Sequence, residues 1–418
     1  MRSIILLLLA APAAFAAWPN GFTYRRTVSV NASQVLAAQT GFPMLLCFNG
    51  AGAPCNNSNL SVPGLKTVAN GGSVRNTCSQ AAPAMTVGCD VVFTSDAAGS
   101  SVLKFEWEKY TPSTGETIVW VNMPALSNGT AIYLFYGNAS ITTFQGNVAG
   151  VWDANYKLVW HLPNGSALSA SDSTTNANGL VNNGATAATG QLDGGAAFNG
   201  TNQAISSSAT VNFSGKVATV SLWINSPSWA GGVLMETSAN FNSNAGALVV
   251  DPGFEAGGKW GFEISKGDSV NYNGVTLNSN PSTGAWHHLA FTVDLGVGAG
   301  QAVVVYIDGV PATVTQNHSS DLSGINLGNF AAFFMARNSS QYFQGGSLDE
   351  IRISNSKRSA TWIATEYNNQ SAPAAFYTVG AEQVPTVTGA SYLILGFTAR
   401  RPLSWRSALL PYPTGRAS

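Results

Sequence analysis

Short runs of alternating apolar and polar residues, each closed by a turn cluster, recur along most of this chain and leave few folds open. Tyr24–Val30 reads YRRTVSV, and residues 218–224 read ATVSLWI. In the second run Val220, Leu222 and Ile224 share one face, and Ser221 and Trp223 share the other. That is the period of two expected of a strand with two different faces. Comparable runs occupy residues 42–48, 90–94, 103–110, 118–121, 131–136, 287–293, 303–307 and 348–354. Clusters such as Asn49-Gly50-Ala51-Gly52, Ser127-Asn128-Gly129 and Asp308-Gly309 supply the turns. Only residues 360–368 have a helical pattern. Many short strands without alternating helices predict an all-β protein of two β-sandwich domains.

Composition agrees and narrows the function. The 418 residues include 44 glycines, and only 9% are charged, against roughly a quarter in ordinary soluble proteins. With 19 basic and 20 acidic residues, the formal net charge is -1. Nucleic-acid binding needs clustered Lys and Arg, so that class is excluded.

Residues 1–17, MRSIILLLLAAPAAFAA, have the form of a secretory signal. Arg2 precedes an apolar run too short to span a bilayer, and Ala14-Phe15-Ala16 is a small-x-small cleavage pattern. The expectation is an exported, extracellular or surface protein whose mature chain starts near Ala17 or Trp18. The four cysteines, Cys47, Cys55, Cys78 and Cys89, suit an oxidising compartment. Three pairings can be drawn. Cys47–Cys55 with Cys78–Cys89 is preferred because each closes a short loop. Zinc is disfavoured, since no Cys-x-x-Cys spacing occurs and no His lies nearby.

The strand pattern breaks after Tyr136-Gly137-Asn138, which divides the mature chain into residues 18–150 and 151–382. Residues 49–88 are the least regular part and read as a long disulfide-stapled loop. Residues 383–418 carry Arg400, Arg401, Arg406 and Arg416 and are expected to be a disordered basic tail, with no segment long enough to cross a membrane.

Two stretches carry resemblances. Residues 103–140, ending in Trp120-Val121 and Tyr136-Gly137-Asn138, together with residues 18–30 and Phe42-Pro43, resemble an exported bacterial domain of unknown function, DUF2341. That resemblance implies no chemistry. Several motifs together resemble a LamG-like jelly roll of the concanavalin A-like lectin and glucanase superfamily. They are Val159-Trp160-His161-Leu162, Asp172-Ser173, residues 192–200 (LDGGAAFNG), Trp286-His287-His288-Leu289-Ala290, Tyr306-Ile307-Asp308-Gly309 and residues 348–354 (LDEIRIS). The resemblance implies two stacked antiparallel sheets. It also implies calcium at the rim, with Asp172, Asp193 and Asp349 as candidate ligands and Asn199 or Asn202 in reserve.

No catalytic residues are assigned. Glu106 and Glu108, two apart on one strand, fall on one face, but an exposed strand face explains them. Asp349 and Glu350 are adjacent, so a regular strand would point them apart. The spaced Glu-x-Asp-x-x-Glu pattern of many glucanases of that superfamily is absent, as are zinc, nucleophile-elbow and phosphate-loop motifs. His287 and His288 alternate on a strand and read as structural. Trp223, Trp229, Trp260 and Tyr272 are the candidate sugar-stacking residues, since aromatic faces pack on the apolar faces of sugars. The expected function is a non-enzymatic surface protein that binds extracellular carbohydrate or a surface partner. The alternative is a structural or adhesive component without a small ligand; a glycan-processing enzyme is disfavoured by the missing carboxylate pattern.

Overall fold

A computed structural model describes residues 18–50, 52–79, 86–163, 167–229, 231–252 and 258–385. The expected signal segment and all but the first residues of the expected tail lie outside this range. Gln383 lies inside it and exchanges two backbone hydrogen bonds with Arg25, of 3.0 and 2.8 Å.

Among the described residues there are four antiparallel sheets. Two large sheets form the jelly roll. The first runs in the order Val310–Pro311, Val303–Ile307, Trp286–Asp294, Val217–Asn225, Gly345–Ser354, Gly194–Asn199, Thr186–Thr189, with Tyr156–Trp160 also paired to Gly345–Ser354. The second runs Val314–Ser319, Tyr272–Leu277, Gly261–Ser265, Leu248–Asp251, Met235–Thr237, Ala332–Phe334, Ala204–Ser207, Leu180–Asn183. Leu158, Val220, Leu222, Phe262, Phe291, Leu348 and Ile351 meet in one buried core between them. Alternation therefore does what the sequence predicts: the inward face of each strand fills the sandwich.

Two smaller sheets form the N-terminal module. One orders Tyr377–Val379, Tyr24–Val30, Ala131–Tyr136 and Val91–Thr94. The other orders Phe42–Phe48, Glu116–Met123 and Phe105–Thr111. The strand Tyr377–Val379 comes from beyond the jelly roll and pairs with Tyr24–Val30. Residues 52–79 and 86–89 contain three short 3-10 turns and three of the four cysteines, which pair as Cys47–Cys55 and Cys78–Cys89, the preferred pairing.

The outer face of the first jelly-roll sheet is buried as well. Strand Val217–Asn225 shows how. Its inward side chains are apolar, while Thr219, Ser221 and Trp223 point outward beneath the helix Ala360–Ser371. Ser221 Oγ donates to Glu366 Oε1 at 2.8 Å, and Trp223 Nε1 donates to Gln370 Oε1 at 2.6 Å. The helix starts on Ser359, whose Oγ accepts from Trp362 N at 3.1 Å, and stops before Pro373. A second core joins Leu46, Trp120 and Val121 of the N-terminal module to Trp152, Tyr156, Trp362 and Tyr377.

Polar side chains tie the helix into that core. Asn369, 1% exposed, accepts from Leu45 N at 2.7 Å and donates to Leu45 O at 3.0 Å. Replacement by alanine strands a buried backbone donor and acceptor together. Asn369→Ala is expected to cost about 2–3 kcal/mol in urea denaturation. A cost below about 0.5 kcal/mol would mean that water replaces the amide there.

Candidate binding cleft and the charge network beneath it

Several acidic side chains that a strand pattern leaves on a surface are buried where the two modules meet. Glu106 is 6% exposed, and the side chain of Glu108 is fully buried. This corrects the expectation of an exposed strand face. The partners of Glu106 come from sequence well downstream, and that of Glu108 from the neighbouring strand. Trp152 Nε1 donates to Glu106 Oε2 at 2.7 Å, the Ser173 hydroxyl donates to Glu106 Oε1, and Trp120 Nε1 donates to Glu108 Oε2 at 2.8 Å.

His161, at the end of strand Tyr156–Trp160, lies among them. Its Nδ1 is 2.8 and 3.0 Å from the two Glu350 oxygens and 3.7 Å from Glu108, and its Nε2 is 3.6 Å from Glu106. The imidazole stacks on Trp120 at 5.4 Å with a 19° interplanar angle. Arg352 closes the network. Its guanidinium is 2.7 Å from Glu350, 3.2 Å from Glu366 and 4.4 Å from the Trp120 ring centre. His288 Nε2 is 3.3 Å from Glu366.

A bulge explains why Asp349 and Glu350 both belong here. Opposite Ser221 and Trp223 the pairing partners are Arg352 and Asp349, so the strand gains a residue relative to its neighbour. Glu350 takes up the irregularity at φ +50°. The extra residue turns its side chain to the face of Asp349 and Arg352, correcting the expectation of opposite faces.

Burial sets the proton affinities. Glu108 is pushed well above the usual carboxylate range, first by burial and then by the neighbouring Glu350 charge. Asp349 is pushed up likewise by burial, with Glu350 and Glu108 adding to it. For His161, burial opposes the charge, but the Glu350 and Glu106 carboxylates outweigh it and hold the imidazole protonated well above its ordinary range. Glu366 goes the other way. Burial would raise it, but Arg352, His288 and Ser221 hold it at about 2.

Glu108, His161 and Glu350 are the described group of three metal-type donors within 4.8 Å of one another. Trp120 donates to Glu108 Oε2, and His161 and Arg352 engage the Glu350 oxygens, so these groups form a charge network in which Glu108 Oε1 alone of the four carboxylate oxygens has no hydrogen-bond partner. The candidate calcium ligands do not form such a group. Asp172 accepts from Val159 N, Thr174 N and Asn178 N at 2.8–3.0 Å and so organises its own turn. Asp349 accepts from Leu192 N at 2.8 Å and Glu350 N at 2.7 Å. Asp193, at φ +61°, pairs with Lys109 at 2.7 Å. Asn199 and Asn202 bond to each other across their own turn.

The candidate stacking residues are placed unlike the expectation. Trp223, Trp229 and Trp260 are 2%, 5% and 0% exposed. Trp229 and Trp260 pack edge to face at 4.7 Å inside the jelly roll, and Trp223 is covered by the helix. None offers a ring face to a ligand. Tyr272 is half-buried on the second sheet and stacks on Phe241. His287 and His288 are structural, bonded to Asp308 and Glu366 respectively.

An accessible aromatic does exist, at a position sequence reasoning assigned only to a strand motif. Half-buried Trp286 begins strand Trp286–Asp294 and lines a cleft of about 480 Å3 between the modules. Cys55, Lys109 and Glu116 line it from the N-terminal module, and Gln191 and Asp193 from the floor turn before Gly194–Asn199. Lys109 Nζ is 3.1 Å from Glu116 and 2.7 Å from Asp193. These two partners outweigh desolvation and raise its proton affinity, so the lysine stays charged. The floor turn needs glycine at position 190: a Cβ there would stand 1.8 Å from the Gly194 carbonyl oxygen and 2.6 Å from Asp349. The signal that could have found Trp286 is its place at the very end of a strand, after a turn-rich segment, where a large ring is left at the sheet margin.

The sheet order defines a jelly-roll β-sandwich carrying a second, smaller β module. Residues 199–364 match the family described as the concanavalin A-like lectin/glucanases superfamily, and residues 88–156 match DUF2341, a domain of unknown function. No curated protein matches the chain. Among solved structures, it is similar to domain 4 of an extracellular GH43 arabinanase from Geobacillus stearothermophilus, solved with arabinotriose. The identity is 22%, the TM-score 0.39, and the match covers 52% of this chain and 100% of that one. The receptor-binding domain of botulinum neurotoxin C/D mosaic serotype matches at 14% identity and TM-score 0.39, covering 52% of this chain and 51% of that one. The binding domain of a Paraclostridial mosquitocidal protein matches at 14% and 0.39, covering 51% and 52%.

Proposed function

We propose that this is an exported protein that binds extracellular carbohydrate without transforming it. The observation that carries the reading is the cleft: a half-buried indole lines it together with charged and amide side chains, in a volume suited to a small ligand. A flat ring with nearby hydrogen-bonding groups is the combination sugars require, because their ring faces are apolar and their edges are hydroxyls. The lectin-type fold of residues 199–364 supports it. Export is supported by the signal-like first 17 residues and the two disulfides.

Two carboxylates, Glu116 and Asp193, do line the cleft, as a glycosidase would require. Both are engaged on one lysine, which supports binding over hydrolysis. The test is an array of plant, bacterial and animal glycans probed with the mature full chain, in calcium and in chelator, with bound glycans then checked for cleavage. Saturable binding with intact glycan is the expected result. Release of shorter sugars would make the protein an enzyme. No binding by a folded sample would leave the structural or adhesive role.

A further inference from the structure

From the geometry of the cleft we infer that the N-terminal module is half of the binding site, and that the site takes a neutral oligosaccharide gripped between Trp286 and the Lys109–Glu116 wall. This rests on the carbohydrate-binding reading above and assigns a part to the module that matches DUF2341.

Three observations carry it. First, the cleft exists only between the modules. Trp286, Gln191 and Asp193 come from the jelly roll, while Lys109 and Glu116 come from the hairpin formed by Phe105–Thr111 and Glu116–Met123. A sugar stacked on Trp286 therefore has its hydroxyl edge toward the hairpin. Trp286 is half-buried and lines the cleft, and among the described residues no other aromatic ring is stacked on it.

Second, the walls are held in register. The Lys109–Asp193 pair crosses the cleft floor, and Glu108, the residue before Lys109, is locked into the buried network with Trp120 and His161. A site assembled from two bodies is precise only if the bodies are fixed relative to each other, and these groups fix them.

Third, the charge selects the ligand class. Among the described charged side chains lining the cleft, one ammonium stands with two carboxylates and is engaged by both. An anionic sugar would meet Glu116 and Asp193 beside a lysine that both already hold. A neutral sugar can donate its hydroxyls to those carboxylates and accept from Lys109 or the Gln191 amide, with no unpaired charge.

The experiment measures affinity of the mature full chain for neutral and uronic-acid oligosaccharides, with Trp286→Ala, Trp286→Phe, Glu116→Gln and Gln191→Ala beside the wild type. Melting temperature controls for folding. The expected result is preference for neutral glycans, loss of about tenfold or more in Trp286→Ala with partial recovery in Trp286→Phe, and weaker binding in Gln191→Ala. Glu116→Gln should bind neutral glycans several-fold less well and narrow the gap to acidic ones. If the wild type binds glycans and Trp286→Ala is unchanged, the cleft is not the site, though the carbohydrate reading stands. If only the jelly-roll variants matter, the N-terminal module takes no part. A preference for acidic glycans overturns the ligand class, and no glycan binding at all overturns the underlying reading.

Discussion

Arg352→Ala is expected to remove about 3–5 kcal/mol of folding stability, the scale at which one partner of a buried ion pair is lost. Arg352 is 1% exposed and serves two carboxylates, Glu350 at 2.7 Å and Glu366 at 3.2 Å. Its removal leaves both in a low-dielectric space, and Glu366 loses the main group that holds it at about 2. It also uncovers the face of Trp120, over which the guanidinium lies at 4.4 Å. Urea denaturation at neutral pH reads the loss directly. Arg352→Lys separates the contributions: it keeps the charge but not the planar fork, and should recover only part. Combining Arg352→Met with Glu350→Gln should cost less than the sum of the two, because the stranded charge is removed with its partner. Additive costs would mean that the two do not interact.

Stability is also expected to peak in mildly acid solution and to fall as pH rises, the reverse of an ordinary carboxylate-stabilised domain. Glu108 and Asp349 are raised above their unfolded values of 4.5 and 3.8. Their contribution is fully present below those values and is lost as pH climbs through the folded ones. His161, raised above 6.5, has the same sign and begins its loss only past that value. Glu366 opposes them: it is held at about 2 against an unfolded 4.5, so its contribution is present above 4.5 and lost as pH falls. The maximum therefore lies at about pH 4, between the unfolded values of Asp349 and Glu366, with a decline above it of up to about 1.4 kcal/mol per pH unit for each proton released. Urea midpoints from about pH 5 to about pH 9 measure the slope. Glu108→Gln copies the shape of the protonated acid and keeps an acceptor for Trp120. It should match the wild type at low pH and exceed it at high pH. Equal slopes in the two proteins would show that Glu108 is not the titrating group.

This network ties the alkaline limb to the proposed binding cleft. Asp193 and Lys109 lie between them, and the Asp193 charge is one of those acting on Glu108. Loosening the junction at high pH should weaken glycan binding before the chain unfolds globally, since the cleft needs both modules in place. Affinity measured across the same pH range checks that order of events.

The cysteine spacings, strand alternation and the helical pattern of residues 360–368 are local signals, and each was legible in sequence, whereas the Ser359 and Pro373 limits of that helix came with the structure. Period two names the faces of a strand without depending on distant partners, so Val220, Leu222 and Ile224 could be placed inward correctly. A short loop between cysteines can close whatever the rest of the chain does. What those signals do not carry is which outward face becomes a second interior. Trp223 looked like an exposed ring opposite an apolar face until the helix, more than a hundred residues later, covered it. Glu106 and Glu108 looked solvated until His161 and Trp152 arrived from the next module. Glu350 defied the period because one residue at φ +50° bulges the strand, and nothing in Leu-Asp-Glu-Ile announces it. The sequence thus determined an all-β chain with two stapled loops and a lectin-like sandwich. Tertiary structure alone decided which charges are buried together and which tryptophan faces the cleft, because burial and proton affinity depend on neighbours that only the folded chain brings within a few ångströms.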